Sequence, residues 1–99
     1  MAQKKMDGVI EAVRYTSEGR IMVVRVYERH GAVWSDRVLL DRYELMERLK
    51  QGKRFFTGER KSYLGSVFNT GAIVHQNHDN IVTNGQAGSQ DMLSGVPIF

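Results

Sequence analysis

The chain has 99 residues, a net charge of +3 and no cysteine. This length suits one domain with a single core, and the absence of thiols excludes disulfides, zinc–thiolate sites and cysteine nucleophiles. The chain begins without the apolar stretch of a secretory signal, and no apolar run is long enough to span a membrane. We therefore expect a protein without a membrane-spanning segment, located in the reducing cytoplasm.

The positive charge is concentrated in the middle of the chain. Residues 42–62 carry seven Lys or Arg and three Asp or Glu, whereas residues 63–99 carry none and two. A local net charge of +4 favours an anionic partner, although a solvated basic surface has the same composition.

The first 41 residues predict three strands. Residues 1–6 are polar and basic, which is typical of a flexible terminus. Residues 8–16 and 20–29 alternate and are rich in β-branched side chains, with a turn at 17–19 between them. A tight turn at His30 and Gly31 leads to a third strand over residues 32–40. Ser35 and Asp36 in its middle indicate a bulge or a sharp bend.

A short helix over residues 42–51 follows the third strand. Asp41 stands at the N-cap and Glu44 three residues later, which is the spacing of a capping box. Leu45 and Leu49 form an apolar stripe, and Gly52 suits the C′ position. A helix of this length requires a surface to pack against.

After the helix the pattern predicts short strands and turns. Strands are expected over residues 53–57, 62–69 and 72–75, with turns over residues 57–60 and 69–71. Residues 76–95 are rich in Gly, Asn, Gln and Ser, which indicates a flexible polar tail, and residues 96–99 are apolar again.

The element order β-β-β-α-β-β predicts a mainly β fold. We expect a small barrel or a curled antiparallel sheet of five to six strands over residues 7–75. An OB-like barrel, an SH3-like barrel and an open curled sheet all fit this order. The tail at 76–99 is predicted to lie outside the domain, and its apolar end at 96–99 is compatible with docking on the barrel, docking on another copy, or disorder.

No pattern predicts catalysis, a cofactor or a metal site. His75 and His78 form the only cluster with metal-ligand side chains, but two imidazoles three apart require a helix to meet one ion, and none is predicted there. The serines lie outside nucleophile-elbow patterns, and Gly52 and Gly58 are not followed by the Lys-Ser/Thr of a phosphate-binding loop. We therefore expect a protein that is not an enzyme.

The run of basic and aromatic residues from 50 to 63 is the candidate binding site. Binders of single-stranded nucleic acid combine cations for the phosphates with aromatic rings for base stacking. Alternation on a strand sends one of Phe55 and Phe56 to the core and presents the other on the opposite face. Tyr27 and Arg25 share one face of their strand and extend this surface, whereas Trp34 suits the core. The predicted site residues are Lys50, Lys53, Arg54, Phe55, Phe56, Arg60, Lys61 and Tyr63.

Two functions fit this pattern. The first is a non-enzymatic binding module for single-stranded nucleic acid or another anionic partner. The alternative is a module for protein–protein interaction or self-association, which is suggested by the apolar character of both faces of residues 20–29 and by the apolar residues 96–99.

Overall fold

The computed structural model describes residues 6–61, 68–77, 79–83 and 90–99. The described residues form seven strands and one helix, in the order β1 (Gly8–Tyr15), β2 (Ile21–His30), β3 (Val33–Trp34), β4 (Val38–Asp41), α1 (Arg42–Lys50), β5 (Phe55–Arg60), β6 (Phe68–Asn77) and β7 (Asn80–Thr83). The prediction of a mainly β fold with a single short helix is confirmed. Of the predicted flexible N-terminus, only Met6 lies within the described residues.

The strands form one curled half-barrel sheet. Its order is β3-β2-β1-β5-β6-β7, and β4 also pairs with β2. Neighbouring strands are antiparallel except β1 and β5, which are parallel. Of the forms predicted from the sequence, the curled antiparallel sheet holds for every described pair except this one. The parallel pair arises because α1 carries the chain from the β4 edge back to β1, and a crossover of this kind is the connection that parallel neighbours need.

The bend predicted in the third strand separates β3 from β4. Both pair with β2, through Trp34 opposite Arg29 and Val38 opposite Val26. Between them the Ser35 backbone N–H donates to the Glu28 carbonyl over 2.8 Å, and the Ser35 hydroxyl accepts from the Glu28 N–H over 3.0 Å. The bulge therefore interrupts the strand at residues 35–37 without leaving Glu28 unpaired.

Helix α1 covers one face of the sheet. Its capping box is present, because Asp41 accepts from the Glu44 N–H and Glu44 accepts from the Asp41 N–H. The helix buries Leu45 and Met46. The core that they join also contains Ile10, Val13, Ile21, Val24, Val26, Leu40, Phe55, Val74, Ile81 and Leu93. We call the opposite side of the sheet the outer face.

Two predicted turns are parts of strands instead. Residues 57–60 belong to β5 and residues 69–71 to β6, and the two strands pair from Phe55 opposite Val74 to Arg60 opposite Phe68. A register shift between Phe56 and Gly58 accommodates the glycine-containing stretches without ending either strand. The predicted strand at 62–69 lies mostly outside the described residues.

Gly58 allows the close approach of β6 to β5. A Cβ at this position would lie 2.2 Å from the backbone carbonyl oxygen of Asn69, so the neighbouring strand would have to move. We expect Gly58→Ala to lower the free energy of unfolding by about 1–3 kcal/mol in urea denaturation. Gly71→Ala is the control, because its Cβ would come closest to a side-chain atom, the Thr57 hydroxyl at 2.8 Å, and would stay 3.7 Å from the nearest backbone atom. An equal or larger loss for the control would contradict this account.

The segment that was expected to form a flexible tail packs against the sheet where the structure describes it. β7 pairs with β6. We call residues 90–99 the C-terminal strap. The Met92 N–H donates to the Ile81 carbonyl over 2.9 Å, and the Val13 N–H donates to the Pro97 carbonyl over 2.9 Å. The strap thus joins β7 to the part of β1 that extends beyond its pairing with β5.

Asp91 anchors the strap from inside the protein. Its side chain is fully buried, and it accepts hydrogen bonds from the Ile21 N–H at 2.7 Å, the Ile81 N–H at 2.9 Å and Arg42 Nε at 2.8 Å. Arg42 also donates to the Asp79 carbonyl. One carboxylate therefore holds together β2, β7 and the start of α1, a role that the polar composition of residues 76–95 does not reveal.

Asp91 and Arg42 each stabilise the charged form of the other. Burial by itself raises the pKa of the Asp91 carboxyl, but the hydrogen bonds from Arg42 and from the Ile21 and Ile81 N–H groups bring it below its ordinary value. The hydrogen bond to Asp91 raises the pKa of Arg42 in turn. Asp91 is therefore ionised in the folded protein at neutral pH.

Candidate binding surface

The structure places the predicted basic residues at two ends of β5. Lys50, Lys53 and Arg54 are exposed before the strand begins, while Arg60 and Lys61 lie at its other end. At about 3.3 Å per residue, Arg54 and Arg60 are about 20 Å apart. The basic residues of the segment 50–61 therefore do not form one compact patch, and Tyr63 lies outside the described residues.

Both phenylalanines of the predicted site are buried. Phe55 is 0% exposed in the helix-side core, and Phe56 is 6% exposed on the outer face. The expectation that one ring faces solvent is not met, because the outer face is covered as well. There Phe56 lies in one row with Val9 and Tyr27, which are also buried. Neither phenylalanine ring is available for base stacking.

The cover of the outer face is a continuous surface of arginine and aromatic side chains. It draws its members from β1, β2, β3, the β3–β4 bulge, β5, β6 and the C-terminal strap. We call it the arginine–aromatic band. Its arginine and aromatic residues are Arg14, Arg25, Tyr27, Trp34, Arg37, Arg60, Phe68 and Phe99, and the band also includes Glu11.

At one end of the band a phenylalanine lies between two guanidinium groups. The Cζ atoms of Arg14 and Arg25 are 4.8 Å and 4.9 Å from the centroid of the Phe99 ring. Arg14 Nε also donates to the Phe99 carbonyl over 2.8 Å. Cations this close to an aromatic face are attracted by its quadrupole. These contacts therefore stabilise the packing of the strap against the sheet.

At the other end three aromatic rings pack together beneath an arginine. Phe68 lies 4.6 Å from Trp34 and 5.4 Å from Tyr27 between ring centroids, with tilted planes. Arg60 Cζ is 5.2 Å from the Tyr27 ring centroid and 5.8 Å from that of Phe68. Trp34 is only half-buried and lies outside the core that was predicted for it, because it pairs with Arg29 on the face of β2 that also carries Arg25 and Tyr27.

Glu11 occupies the centre of the band. The register shift in β1 falls between Ile10 and Ala12, where Glu11 lies. Its carboxylate is 3.0 Å from Nε of both Arg25 and Arg37. The hydrogen bond from Arg37 to the Tyr27 hydroxyl, at 2.9 Å, raises the pKa of Arg37, and Glu11 raises it further. Glu11 thus orients two guanidinium groups and still leaves the band with a net charge of +3, from four arginines and one glutamate.

The sequence indicated only a part of this surface. The i, i+2 spacing of Arg25 and Tyr27 places them on one face of a strand, and Arg60 belongs to the predicted basic run. No local signal connects Arg14, Arg37 or Phe99 to them, because strand pairing alone brings these residues together. The aromatic partners that the sequence assigned to the site are buried, and the band supplies others.

The other parts of the described surface are weaker candidates for a binding site. A cavity of about 810 Å³ between the β2–β3 turn and the end of α1 is lined by Asp7, Arg29, His30 and Lys53, which mix both signs of charge. Among the described residues no group of three or more His, Asp or Glu is placed to hold a metal ion. His75 lies on β6, and His78 lies outside the described residues. The band is therefore the candidate site.

No protein-family model, curated protein or solved structure matches this chain. Within the part of the chain that the structure describes, no helix has the length and apolar composition needed to cross a bilayer. The fold and the candidate site define a small mainly β protein with a basic, aromatic outer face. The function must be inferred from the chemistry of that face.

Proposed function

We propose that this protein is a non-enzymatic binding module for single-stranded nucleic acid, and that the arginine–aromatic band is its binding surface. The observation that carries the proposal is the alternation of guanidinium groups with aromatic rings across one sheet face. Guanidinium groups bind phosphate oxygens in a bidentate manner. Aromatic rings stack with bases of any sequence. Trp34, Phe68 and Phe99 are half-buried. Because guanidinium groups already lie over the rings of Phe68 and Phe99, Trp34 is the ring on which the proposal relies most for stacking.

The chemistry of the band supports binding more than catalysis. Its cations are all arginines, which stay protonated throughout the physiological range and transfer protons poorly. Its single carboxylate, Glu11, is 10% exposed and is paired with two arginines. A general acid or base must exchange its proton near the working pH, which arginine does not do.

The proposal retains part of the basic segment 50–61. Arg60 is a member of the band, and the exposed Lys61 follows it. Lys50, Lys53 and Arg54 have a secondary role, attracting a polyanion without contacting the same stretch of strand. A cytoplasmic location is proposed from composition alone, because a chain without cysteine suits a reducing compartment.

Titration with oligonucleotides at two salt concentrations tests the proposal. We expect a single-stranded homopolymer to bind with a logarithmic salt slope of about −2 to −3, as four arginines at about −0.7 per phosphate contact imply. Duplex DNA of the same length is expected to bind more weakly, because its bases cannot stack on the band. Polyglutamate serves as an anionic control without bases. No binding at low salt, or equal binding of polyglutamate, would contradict the proposal.

A further inference from the structure

The outer edge of β4 carries an exposed apolar side chain. β4 pairs with β2 on one side, and no described strand pairs with it on the other. Leu39 on this edge is 58% exposed. Unpaired backbone groups beside an exposed leucine are a template for pairing with another chain, and proteins that remain monomeric usually protect such edges.

The charges beside Leu39 are self-complementary. Arg37, Leu39 and Asp41 alternate along the edge, so they share the outer face. The Arg37 side chain is 61% exposed, and Asp41 is exposed. A cation two residues before the leucine and an anion two residues after it are related by a two-fold axis through Leu39. If two copies of this edge met in antiparallel orientation, Arg37 would lie opposite Asp41 at both ends.

We propose that a second copy of this chain pairs with the β4 edge in antiparallel orientation, with Leu39 opposite Leu39 of the second copy. Opposite charges directly across an antiparallel pair stabilise it, and like charges destabilise it. An in-register parallel arrangement would place Arg37 opposite Arg37 and Asp41 opposite Asp41. The charge pattern therefore selects the two-fold antiparallel dimer.

The groups involved have the capacity for these contacts. Asp41 uses Oδ1 to cap α1, which leaves Oδ2 to accept from Arg37 of the second copy. Arg37 uses Nε for Tyr27 and Glu11, so only the N–H donors of its two terminal nitrogens are left for Asp41 of the second copy. The pairing would span residues 37–41, of which only Val38–Asp41 is regular strand, and the Asp41 N–H already donates to Glu44. We therefore expect a weak dimer that dissociates on dilution.

Pairing through β4 would join the two sheets and place both outer faces on the same side. Leu39 lies directly beside Arg25 in the sheet register, so the arginine–aromatic bands of the two copies would become neighbours across the two-fold axis. This consequence rests on the proposed function. It predicts that the dimer binds one long single strand more tightly than the monomer does, because the second contact becomes intramolecular.

Cysteine cross-linking tests the dimer directly. The chain has no cysteine, so Leu39→Cys introduces the only thiol. Side chains directly opposite in an antiparallel pair have Cβ atoms close enough for a disulfide after small adjustments. We expect Leu39→Cys to form covalent dimers under mild oxidation much faster than Ile98→Cys, whose position is 72% exposed and lies beside β1, on the other side of β2 from the β4 edge. Equal rates for the two variants would overturn the proposal.

Sedimentation equilibrium with charge variants provides an independent test. Arg37→Glu and Asp41→Lys each place like charges across the two-fold axis, so each variant alone should self-associate about tenfold more weakly than the wild type. An equimolar mixture restores both oppositely charged pairs and should associate again. Circular dichroism establishes that both variants are folded, because Asp41→Lys also removes the helix cap. A mixture that associates no more than its components would overturn the proposal.

Neither experiment contains nucleic acid, so failure of the dimer and failure of the proposed function are distinguishable. A wild-type protein that sediments as a monomer at every concentration would overturn the dimer alone. Salt-dependent binding of a single strand by that monomer would still support the band as a binding surface.

Discussion

Replacing Asp91 with alanine is expected to lower the free energy of unfolding by about 3–5 kcal/mol, because the substitution removes one partner of a buried ion pair. Arg42, which lies 2.8 Å from Asp91, would lose its carboxylate, and the buried N–H groups of Ile21 and Ile81 would lose their acceptor. Domains of this size are stable by about 5–15 kcal/mol in total. Urea denaturation should therefore show a greatly lowered midpoint, with loss of the strap's contacts with β1 and β7.

The same carboxylate predicts how stability depends on pH. Because the pKa of Asp91 is lower in the folded protein than in the unfolded chain, its stabilising contribution is fully present above the unfolded pKa of about 3.9. The contribution is lost as the pH falls through the lower pKa of the folded state. Wild-type stability should thus decline below about pH 4, whereas Asp91→Asn should lack this component of the decline.

Asp36→Asn is the matched control for Asp91→Asn. Asp36 is exposed on the β3–β4 bulge, so its replacement should leave the stability at neutral pH within about 0.5 kcal/mol of the wild type. If Asp91→Asn matched the wild type both at neutral pH and in the acid decline, Asp91 would not anchor the strap.

The second large effect is expected in binding. Replacing Arg37 and Arg60 with glutamine should weaken the binding of a single-stranded oligonucleotide about 10- to 100-fold at low salt. The logarithmic salt slope should become shallower by about 1.4, because two phosphate contacts are lost. Glutamine retains hydrogen-bonding groups near Tyr27 and Glu11, so the melting temperature should change much less than the affinity. Fluorescence anisotropy over a salt series measures both quantities.

The control for this pair is Lys53→Gln with Arg54→Gln, which removes the same amount of charge from the start of β5. Both positions are exposed and lie outside the band, so we expect only a small decrease in affinity. A larger loss in the Lys53 and Arg54 variant than in the Arg37 and Arg60 variant would move the binding surface away from the band.

Trp34→Ala separates stacking from charge. Loss of a base–aromatic contact costs about 1–3 kcal/mol of binding free energy and leaves the number of phosphate contacts unchanged. The variant should therefore bind more weakly at every salt concentration with an unaltered salt slope. A changed slope would indicate that Trp34 acts by positioning the arginines around Phe68.

The sequence by itself determined the local features of the fold. The capping box of Asp41 and Glu44 defined the start of α1, because its hydrogen bonds join residues three apart. Alternation over residues 8–16 and 20–29 predicted β1 and β2, and Ser35 with Asp36 predicted the bulged edge. All of these signals extend over only a few residues, because they depend on hydrogen bonds and side-chain periodicity within a single segment.

The tertiary structure decided everything that depends on which strands become neighbours. The parallel pairing of β1 with β5 results from the α1 crossover. Burial of Phe56 on the outer face results from the second covered side of the sheet, which alternation cannot reveal. Asp91 appears as one acid in a polar stretch until its partners at Arg42 and Ile21, 49 and 70 residues away, surround it.

The candidate site shows the same division. Sequence analysis selected basic and aromatic residues as the candidate site, and it placed Arg25 and Tyr27 together on one face. It assigned stacking to Phe55 and Phe56, which the structure buries, whereas Phe99 meets Arg14 and Arg25 only because the strap returns to β1. Residue types are local properties of a sequence. A surface assembled from several strands exists only once pairing and register have brought them together.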